Sequence, residues 1–486
     1  MRVEKPNVLL ITADQLRYDC VGYSGQRPVR TPHLDALAAT GTAFRHAYSV
    51  LPVCSPARQS LLHGRRPEAF GALWNYSGAL PVGALPPDAW TWSRALADAG
   101  YASAYIGKWG VNPSFGPAAY GYGAYVPESD YRAFAEKKYP NVAYCNGYFG
   151  ERNPIPFEDA EPHWFADRAI EAMERLRQGD APWHVALHLA EPHLPCRPSA
   201  PFVDEFDPAD IPEWPGFRET FERKPYIQRQ QLYSWGVERF GWDDWAPVVA
   251  RYYAVISQLD DAVGKVLRAL DALGEAERTI VIFTADHGDM CGSHGMMDKH
   301  YILYDDVVRV PLIVRLPGEK DHAAGSWPSG AVRDEFVYNF LDLAPTLLEL
   351  LGLGLPDGGK EHEGSVGWLH GESLMPLLAG RRPDGWRDAV VSTYNGQQFG
   401  LYTQRMIRTA RWKYVWNTTD IDELYDLADD PGELRNLIGH KEYGELIGEL
   451  RRKLYDVLAA DGDALVANEW TRRQLVNGAK WEGELR

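Results

Sequence analysis

The stretch "NVLLITADQ", residues 7–15, is an apolar run that ends abruptly in two polar residues, Asp14 and Gln15. The stretch "TIVIFTADH", residues 279–287, repeats this plan. Short apolar runs rich in β-branched residues are typical of strands that are buried on both faces. Three further runs of this kind are "ASAYIG" (102–107), "WHVALHL" (183–189) and "PLIVRL" (311–316).

Helical patterns lie between these runs. Thr31 is predicted as the N-cap of a helix with Pro32 in its first turn. Other helices are predicted over 90–100, 165–177 and 251–274. Strands that alternate with helices predict an α/β fold, with a large and mostly parallel sheet sandwiched by helices.

The pattern changes near residue 380, where the runs become typical of antiparallel strands followed by one amphipathic helix. We therefore predict a catalytic domain over 1–380 and a smaller α+β domain with an antiparallel sheet over 381–486. Residues 200–250 are dense in Pro, Trp and charge, and they are predicted to form an irregular insertion that could wall a substrate site.

Composition excludes several classes of protein. The formal net charge of −17 argues against a nucleic-acid binder, so an anionic substrate would need a local basic pocket. The five cysteines show no paired spacing, which argues against a disulfide framework or a zinc knuckle. No secretory leader or membrane-length apolar run is visible, so we expect a cytoplasmic protein without a membrane partner. No pattern indicates an oligomeric state.

Two pairs of metal-ligand residues follow predicted strands, Asp14 with Gln15 and Asp286 with His287. In open α/β sheets the ligand crevice lies beyond the carboxyl ends of the strands, where these residues would meet. Aspartates at such positions can also simply cap turns. Two pairs at equivalent strand ends favour a site for Ca²⁺, Mg²⁺ or Mn²⁺.

A basic set accompanies these carboxylates. Arg58 lies four residues after Cys54, so a helix starting near Ser55 would bring both to an anion-binding corner. Arg65 and Arg66 are predicted at the helix end and surface. On residue types alone, Cys54 could be a nucleophile, a metal ligand or a core residue, and the set predicts a metal-assisted hydrolase of anions. Further charge or protons could come from Lys108, His193 and Lys299.

Several motifs resemble those of the type I, formylglycine-dependent sulfatases of the alkaline phosphatase superfamily. "CSPAR" (54–58), followed by "SLLHGRRP" (60–67), is similar to that family's signature of Cys or Ser, any residue, Pro, any residue, Arg. The other matching motifs occur in family order over most of the chain, with 200–250 unassigned. They include "PNVLLITADQLRYD", "YIGKWG", "PHLP", "TADHGDMCGSHGMMDKHYILYDD" and "ELYDLADDPGELRNL".

The resemblance implies an alkaline-phosphatase-like fold and hydrolysis of aryl, alkyl or carbohydrate sulfates to alcohol and inorganic sulfate. It implies that a formylglycine-generating enzyme oxidises Cys54 to formylglycine. The hydrated aldehyde then carries two hydroxyls, one to attack sulfur and one to expel sulfate. The residues that match family roles are the metal ligands Asp14, Gln15, Cys54, Asp286 and His287, the charge partner Arg58, and the sulfate-binding or proton-handling Lys108, His193 and Lys299.

The chain departs from the common family pattern at three positions. Gln15 and His287 replace the Asp and Asn of many relatives, a combination that resembles a branch with phosphonate monoester hydrolases and some arylsulfatases. Gly110 replaces a proton-handling histidine, and Asn75 (also predicted to bind substrate), Asn112 and His294 are candidates to fill its space. Two alternatives therefore stay open: a phosphonate monoester hydrolase or phosphodiesterase, and a catalytically silent binding protein.

Overall fold

The computed structural model describes residues 5–76, 83–318, 328–354, 368–396 and 400–480 of the 486-residue chain. The ends of the two predicted domains, residues 1–4 and 481–486, lie outside the described residues. None of the described helices is long and apolar enough to cross a membrane.

A nine-stranded sheet forms the centre of the described chain, in the order β4-β3-β5-β1-β6-β8-β2-β7, with β9 paired to β2. Neighbours from β4 to β6 run parallel, whereas β8 is antiparallel to both β6 and β2. Its strands are β1 (Asn7–Asp14), β2 (Thr42–Tyr48), β3 (Ala102–Gly107), β4 (Ala124–Val126), β5 (Trp183–Pro192), β6 (Thr279–Ala285), β7 (Arg309–Val310), β8 (Leu312–Arg315) and β9 (Ala331–Tyr338).

Strand β1 shows why these runs are apolar throughout. All of its residues are buried. Leu9 and Ile11 pack into one hydrophobic cluster and Val8 and Leu10 into another, because successive side chains point to opposite faces of a strand. Both faces of the sheet are therefore covered, and the predicted mostly parallel sheet between helices is confirmed.

Helices cover the sheet and form much of the rest of the described chain. They are α1 (Pro32–Thr40), α2 (Cys54–His63), α3 (Trp92–Asp98), α4 (Glu128–Lys138), α5 (Glu161–Leu176), α6 (Tyr226–Trp235), α7 (Trp242–Ala272), α8 (Asp305–Val308), α9 (Leu343–Leu350), α10 (Met375–Leu378), α11 (Gly444–Ala460), α12 (Ala464–Ala467) and α13 (Glu469–Asn477).

A second, four-stranded antiparallel sheet lies in the C-terminal region, as predicted. Leu450, Leu454 and Leu458 of α11 share a buried cluster with this sheet, which supplies its core. The boundary at residue 380 stays a prediction. The strands are β10 (Ala389–Tyr394), β11 (Gln404–Thr409), β12 (Trp412–Asn417) and β13 (Glu423–Asp426).

Two predictions of local structure are wrong in part. The segment 200–250 is not irregular throughout, because α6 lies within it and α7 begins at Trp242 and continues through Pro247. The prediction for Thr31 fails only in part: Thr31 occupies the N-cap position before Pro32, but its hydroxyl donates to Asp35 and does not cap α1. The carboxylate of Asp260, from α7, accepts from two N–H groups in the first turn of α1 instead.

Arg66 is also not a surface residue. Its guanidinium is only 1% exposed, forms an ion pair with Asp461 and donates to the Tyr338 hydroxyl at 2.7 Å. It also donates to the Val391 carbonyl at 3.0 Å. The C-terminal region thus packs directly over the end of α2, a contact that no local pattern in the sequence indicates.

Candidate active site and metal centre

The four central strands bring distant polar residues to one edge of the sheet. Strands β3, β5, β1 and β6 are parallel neighbours in that order. Lys108 follows β3, His193 follows β5, Asp14 ends β1 and Asp286 follows β6. Since the carboxyl ends of parallel strands share one edge, the residues meet there although they span most of the chain.

A buried cluster of four possible ligands lies at this edge. One ligand atom from each of Asp14, Cys54, Asp286 and His287 lies within 4.8 Å of all the others. His287 Nε2 is 3.3 Å from Cys54 Sγ, 3.7 Å from Asp14 Oδ1 and 3.6 Å from Asp286 Oδ1. Its Nδ1 lies 2.9 Å from the Gly288 carbonyl, which fits a tautomer whose Nε2 lone pair faces the cluster.

The electrostatics of this cluster fit a divalent cation. Burial and the charge of Asp14 raise the pKa of Asp286. Burial lowers the pKa of His287, yet Asp286 and Cys54 raise it to about 9. A cation among these groups would relieve the repulsion between the carboxylates and take the place of the imidazole proton. Two carboxylates and one imidazole form a suitable donor set for a hard or intermediate divalent ion.

The positive charge of Arg58 balances part of the negative charge of the two aspartates in the cluster. Its Nη2 lies 2.9 Å from Asp14 Oδ2 and 3.1 Å from Asp286 Oδ2. Its Nη1 donates to the Lys108 carbonyl at 3.2 Å and lies 3.4 Å from Nδ1 of His188. The guanidinium therefore fixes both aspartates, and the predicted approach of Arg58 to the Cys54 end of α2 is what the structure shows.

Cys54 is the first residue of α2, where free backbone N–H groups favour negative charge. Its Sγ lies 3.6 Å from Asp14 Oδ1 and 3.9 Å from Lys108 Nζ. Burial and Asp14 would raise the pKa of the Cys54 thiol, but Lys108, Lys299 and His287 together hold it well below its usual range. The next residue, Ser55, donates its N–H to Asn75 Oδ1 at 2.8 Å, so Asn75 lies beside this helix end.

His193, Lys299 and Gln15 form a chain of polar contacts beside the cluster. Lys299 Nζ lies 2.9 Å from His193 Nε2 and donates to Gln15 Oε1 at 3.0 Å. His193 Nδ1 lies 2.7 Å from the Leu194 carbonyl, which fits a proton on Nδ1 and a lone pair on Nε2. On the other side, Lys108 Nζ lies 2.7 Å from Asp14 Oδ2. The charges of both ammonium groups, Lys108 and Lys299, act on the Cys54 thiol.

The surroundings of Gln15 explain why an amide stands there. Its Nε2 donates to Asp289 and, at 3.0 Å, to Asp298 Oδ1. A carboxylate at this position would face two other carboxylates, whereas the amide supplies N–H donors to both. Its backbone N–H also donates to Asp286 Oδ1 at 3.1 Å. Its role as a metal ligand stays a prediction.

The side chain of Arg58 occupies the space beside Gly110. A Cβ at position 110 would lie 3.0 Å from Arg58 Cδ, on a left-handed backbone with φ of +65°. Asn112 does not fill this space, because its side chain binds the Leu85 carbonyl and the turn after it. Nor does His294, which lies 2.9 Å from Glu219 and stacks on Tyr304.

Sequence reasoning missed three residues near this edge. His188 is buried between Arg58 and the Tyr105 ring, on which it stacks. Glu161 and Glu191 line a cavity that begins at Lys108 and His193. The signal for His188 and Glu191 is their place near the carboxyl end of β5. Glu161, at the start of α5, has no comparable signal.

The family profile described as Sulfatase matches residues 6–353, most of the chain. The chain belongs to the sulfatase family. A second profile, described as N-sulphoglucosamine sulphohydrolase, C-terminal, matches residues 292–460 of this sulfatase. Together the two matches cover both sheets, so the motifs and the fold agree on the family.

Individual relatives extend over nearly the whole sulfatase chain. It is 30% identical to an "Ulvan-active sulfatase" of Formosa agariphila, over 96% of this chain and 83% of that protein. It is 29% identical to an arylsulfatase of Clostridium perfringens, over 93% and 94% of the two chains. Among solved structures, the phosphonate monoester hydrolase of Agrobacterium radiobacter superposes with a TM-score of 0.79 at 26% identity, over 94% and 96% of the chains.

Proposed function

We propose that the protein hydrolyses sulfate monoesters to an alcohol and inorganic sulfate, using formylglycine made from Cys54 and one divalent cation. A single observation carries the proposal: Cys54 Sγ lies 3.3 Å from His287 Nε2 and 3.6 Å from Asp14 Oδ1, inside the buried cluster. The sulfur marks where the oxygens of a formylglycine hydrate would lie. The names of the relatives, an arylsulfatase and an ulvan-active sulfatase, support a sulfate ester as substrate.

Asp14, Asp286 and His287 would hold the cation, with Gln15 as a further oxygen donor. When bound, a divalent cation supplies Lewis acidity that stabilises negative charge on the nucleophile and on sulfate oxygens. Ca²⁺ suits the carboxylate and amide oxygens best, and the imidazole also admits Mn²⁺. Arg58 keeps both carboxylates oriented and balances part of their charge.

The remaining side chains act on the substrate. The charges of Lys108 and Lys299 act on the Cys54 thiol, and both side chains would bind the sulfate oxygens, where their charges stabilise the transition state. The Nε2 lone pair of His193 accepts from Lys299 Nζ at 2.9 Å, so the proton shared by these two groups can pass to the leaving oxygen. Asn75, at the start of α2, would contact the substrate from the helix end.

A second candidate function is phosphonate monoester hydrolysis. The structural similarity to the phosphonate monoester hydrolase of Agrobacterium radiobacter favours this alternative. Sulfate and phosphonate monoesters both carry one negative charge near neutral pH, so the cationic side chains would accept either group. The nature of the ester therefore has to be decided by rates.

The test uses protein produced together with a formylglycine-generating enzyme. The mass of the peptide containing Cys54 should show the aldehyde in place of the thiol. Initial rates on 4-nitrophenyl sulfate and on 4-nitrophenyl phenylphosphonate are then compared, with Ca²⁺, Mg²⁺ or Mn²⁺ added to metal-free protein. A large preference for the phosphonate would overturn the sulfatase assignment. Loss of both activities in matured, metal-loaded protein would indicate a silent binding protein.

A further inference from the structure

A cavity opens directly beside the cationic side chains of the site. Its volume is about 480 Å³, within the range of small-molecule pockets, and Lys108 and His193 form part of its wall. Because these two residues also adjoin the sulfate position, the alcohol part of a bound ester would extend into this cavity. The residues that line the cavity would therefore determine which alcohol groups the protein accepts.

Four glutamates line the cavity: Glu136 and three others that come from separate elements. Glu128 begins α4, Glu161 begins α5 and Glu191 lies in β5. Within the described residues, none of the three forms an ion pair. The Oε2 atom of Glu191 is buried and accepts no hydrogen bond from any described group. A buried carboxylate oxygen without a donor is costly, so this one lacks a partner that a ligand could supply.

Burial and mutual repulsion act on these carboxylates. Burial raises the pKa of Glu161 to about 7, with a further contribution from the charge of Glu128. Burial and the charge of Glu161 raise the pKa of Glu191 well above its usual range. Both shifts show that the charged forms of these carboxyls lack stabilisation, which a cation placed beside them would supply.

The cations near the cavity are engaged or lie at its rim. Lys108 Nζ is paired with Asp14 at 2.7 Å. The guanidinium of Arg197 lies over the Tyr144 ring, 3.9 Å from its centroid. Arg132 is exposed, and its effect on Glu161 is smaller than that of Glu128 or Lys108. The charge of Lys108 acts on Glu161 and Glu191, and Arg197 Nε has no hydrogen-bond partner among the described groups, but none of these cations forms an ion pair with Glu128, Glu161 or Glu191 within the described residues.

We propose that this cavity binds a positively charged ammonium group on the alcohol part of the substrate. The protein's substrates would then be sulfate esters of amino or quaternary ammonium alcohols. Glu128, Glu161 and Glu191 supply the counter-charge, and the rings of Tyr131 and Tyr139, which also line the cavity, supply faces that attract cations. The inference rests on the proposed sulfatase function.

The test compares two esters of equal shape. The substrate 2-(trimethylammonio)ethyl sulfate carries the charge, and 3,3-dimethylbutyl sulfate is its neutral isostere. We expect kcat/KM to be at least roughly tenfold higher for the cationic ester, which corresponds to about 1.4 kcal/mol. Equal values, or a preference for the neutral ester, would overturn the inference. If neither ester nor 4-nitrophenyl sulfate is hydrolysed, the proposed function itself fails.

Variants then locate the effect in the cavity. Glu161→Gln and Glu191→Gln should each reduce the ratio of cationic to neutral kcat/KM by roughly tenfold. The control is Glu171→Gln, a change on the same helix as Glu161 at a side chain that is 59% exposed, and it should leave the ratio unchanged. Thermal melting identifies any variant that fails to fold, and the comparison of esters on the unmutated enzyme needs no variant. An unchanged ratio in both folded cavity variants contradicts the assignment.

Discussion

A buried pair of carboxylates, Asp14 with Asp286, and a half-buried pair, Glu161 with Glu191, differ in what surrounds them. Asp14 and Asp286 share the guanidinium of Arg58, which contacts both at about 3 Å. Glu161 and Glu191 form no ion pair within the described residues. Two carboxylates roughly 4 Å apart repel by about 4 kcal/mol at an effective dielectric constant of about 20, so such a pair needs either positive charge nearby or a proton on one carboxyl.

The difference indicates two kinds of partner. The aspartates have permanent cations from the chain, Arg58 for both and Lys108 for Asp14, and four ligand atoms lie close enough together to hold a divalent ion. The glutamates lie in an open cavity whose other wall is the sulfate site, so their counter-charge can arrive and leave with the substrate. The charge of the aspartates is thus balanced permanently by the chain, whereas that of the glutamates is balanced only when substrate is bound. Four changes test this difference between the two pairs.

The largest effect is expected for Cys54→Ala. Removal of the residue that becomes the nucleophile should lower kcat on 4-nitrophenyl sulfate by roughly 10⁴-fold or more, since cationic groups alone retain little catalysis. Cys145→Ala is the matched control, because Cys145 is exposed and lies outside the cluster. Substantial activity in Cys54→Ala protein, measured by release of 4-nitrophenol, would rule out Cys54 as the nucleophile.

Asp286→Asn tests the aspartate pair, Asp14 and Asp286. The change removes one of two carboxylates that hold the cation, so we expect metal content per chain to fall from one to near zero. The rate should drop by roughly 10²-fold or more, because the cation supplies several kcal/mol of charge stabilisation. Metal analysis after dialysis and a thermal melt with and without added Ca²⁺ check this. A variant that still gains thermal stability from Ca²⁺ would place the ion elsewhere.

Arg58→Lys keeps the positive charge but removes the planar guanidinium, whose several N–H groups contact both aspartates. We expect a decrease of about 10- to 100-fold in kcat with metal still bound, since the carboxylates lose orientation rather than charge. The control is Arg65→Lys at the end of the same helix region, which does not contact the cluster. An unaltered kcat in Arg58→Lys protein would show that the fork geometry is unimportant.

The smallest effect is expected for the pH dependence of ester preference, which reports on the glutamate pair, Glu161 and Glu191. Because the pKa of Glu161 is raised to about 7, its carboxyl is largely protonated below that pH and charged above it. The preference for the cationic ester should therefore increase a fewfold between about pH 6 and pH 8. Glu191, Glu128, Lys108 and Arg132 act on the same group, so the transition should be broad. A flat ratio of the two kcat/KM values across this range would contradict the charge of the cavity.

Much of the site could be read from local sequence. Strands β1 and β6 are apolar runs that end in Asp14 and Asp286, and parallel strands necessarily bring such ends to one edge. Cys54 and Arg58 are one helical turn apart, so the start of α2 presents both to the same edge. Local spacing and strand direction were sufficient for these residues because each depends only on its own element.

The rest depended on contacts between segments far apart in the chain. Arg66 is buried because the C-terminal region covers it, and α1 is capped by Asp260, more than 200 residues away. Glu161 and Glu191 share a cavity only because α5 packs beside β5. Sequence by itself determined the family, the sheet and the reactive edge. Only the tertiary structure decided which charges are neutralised, because Coulomb energies depend on distances and burial that no local pattern encodes.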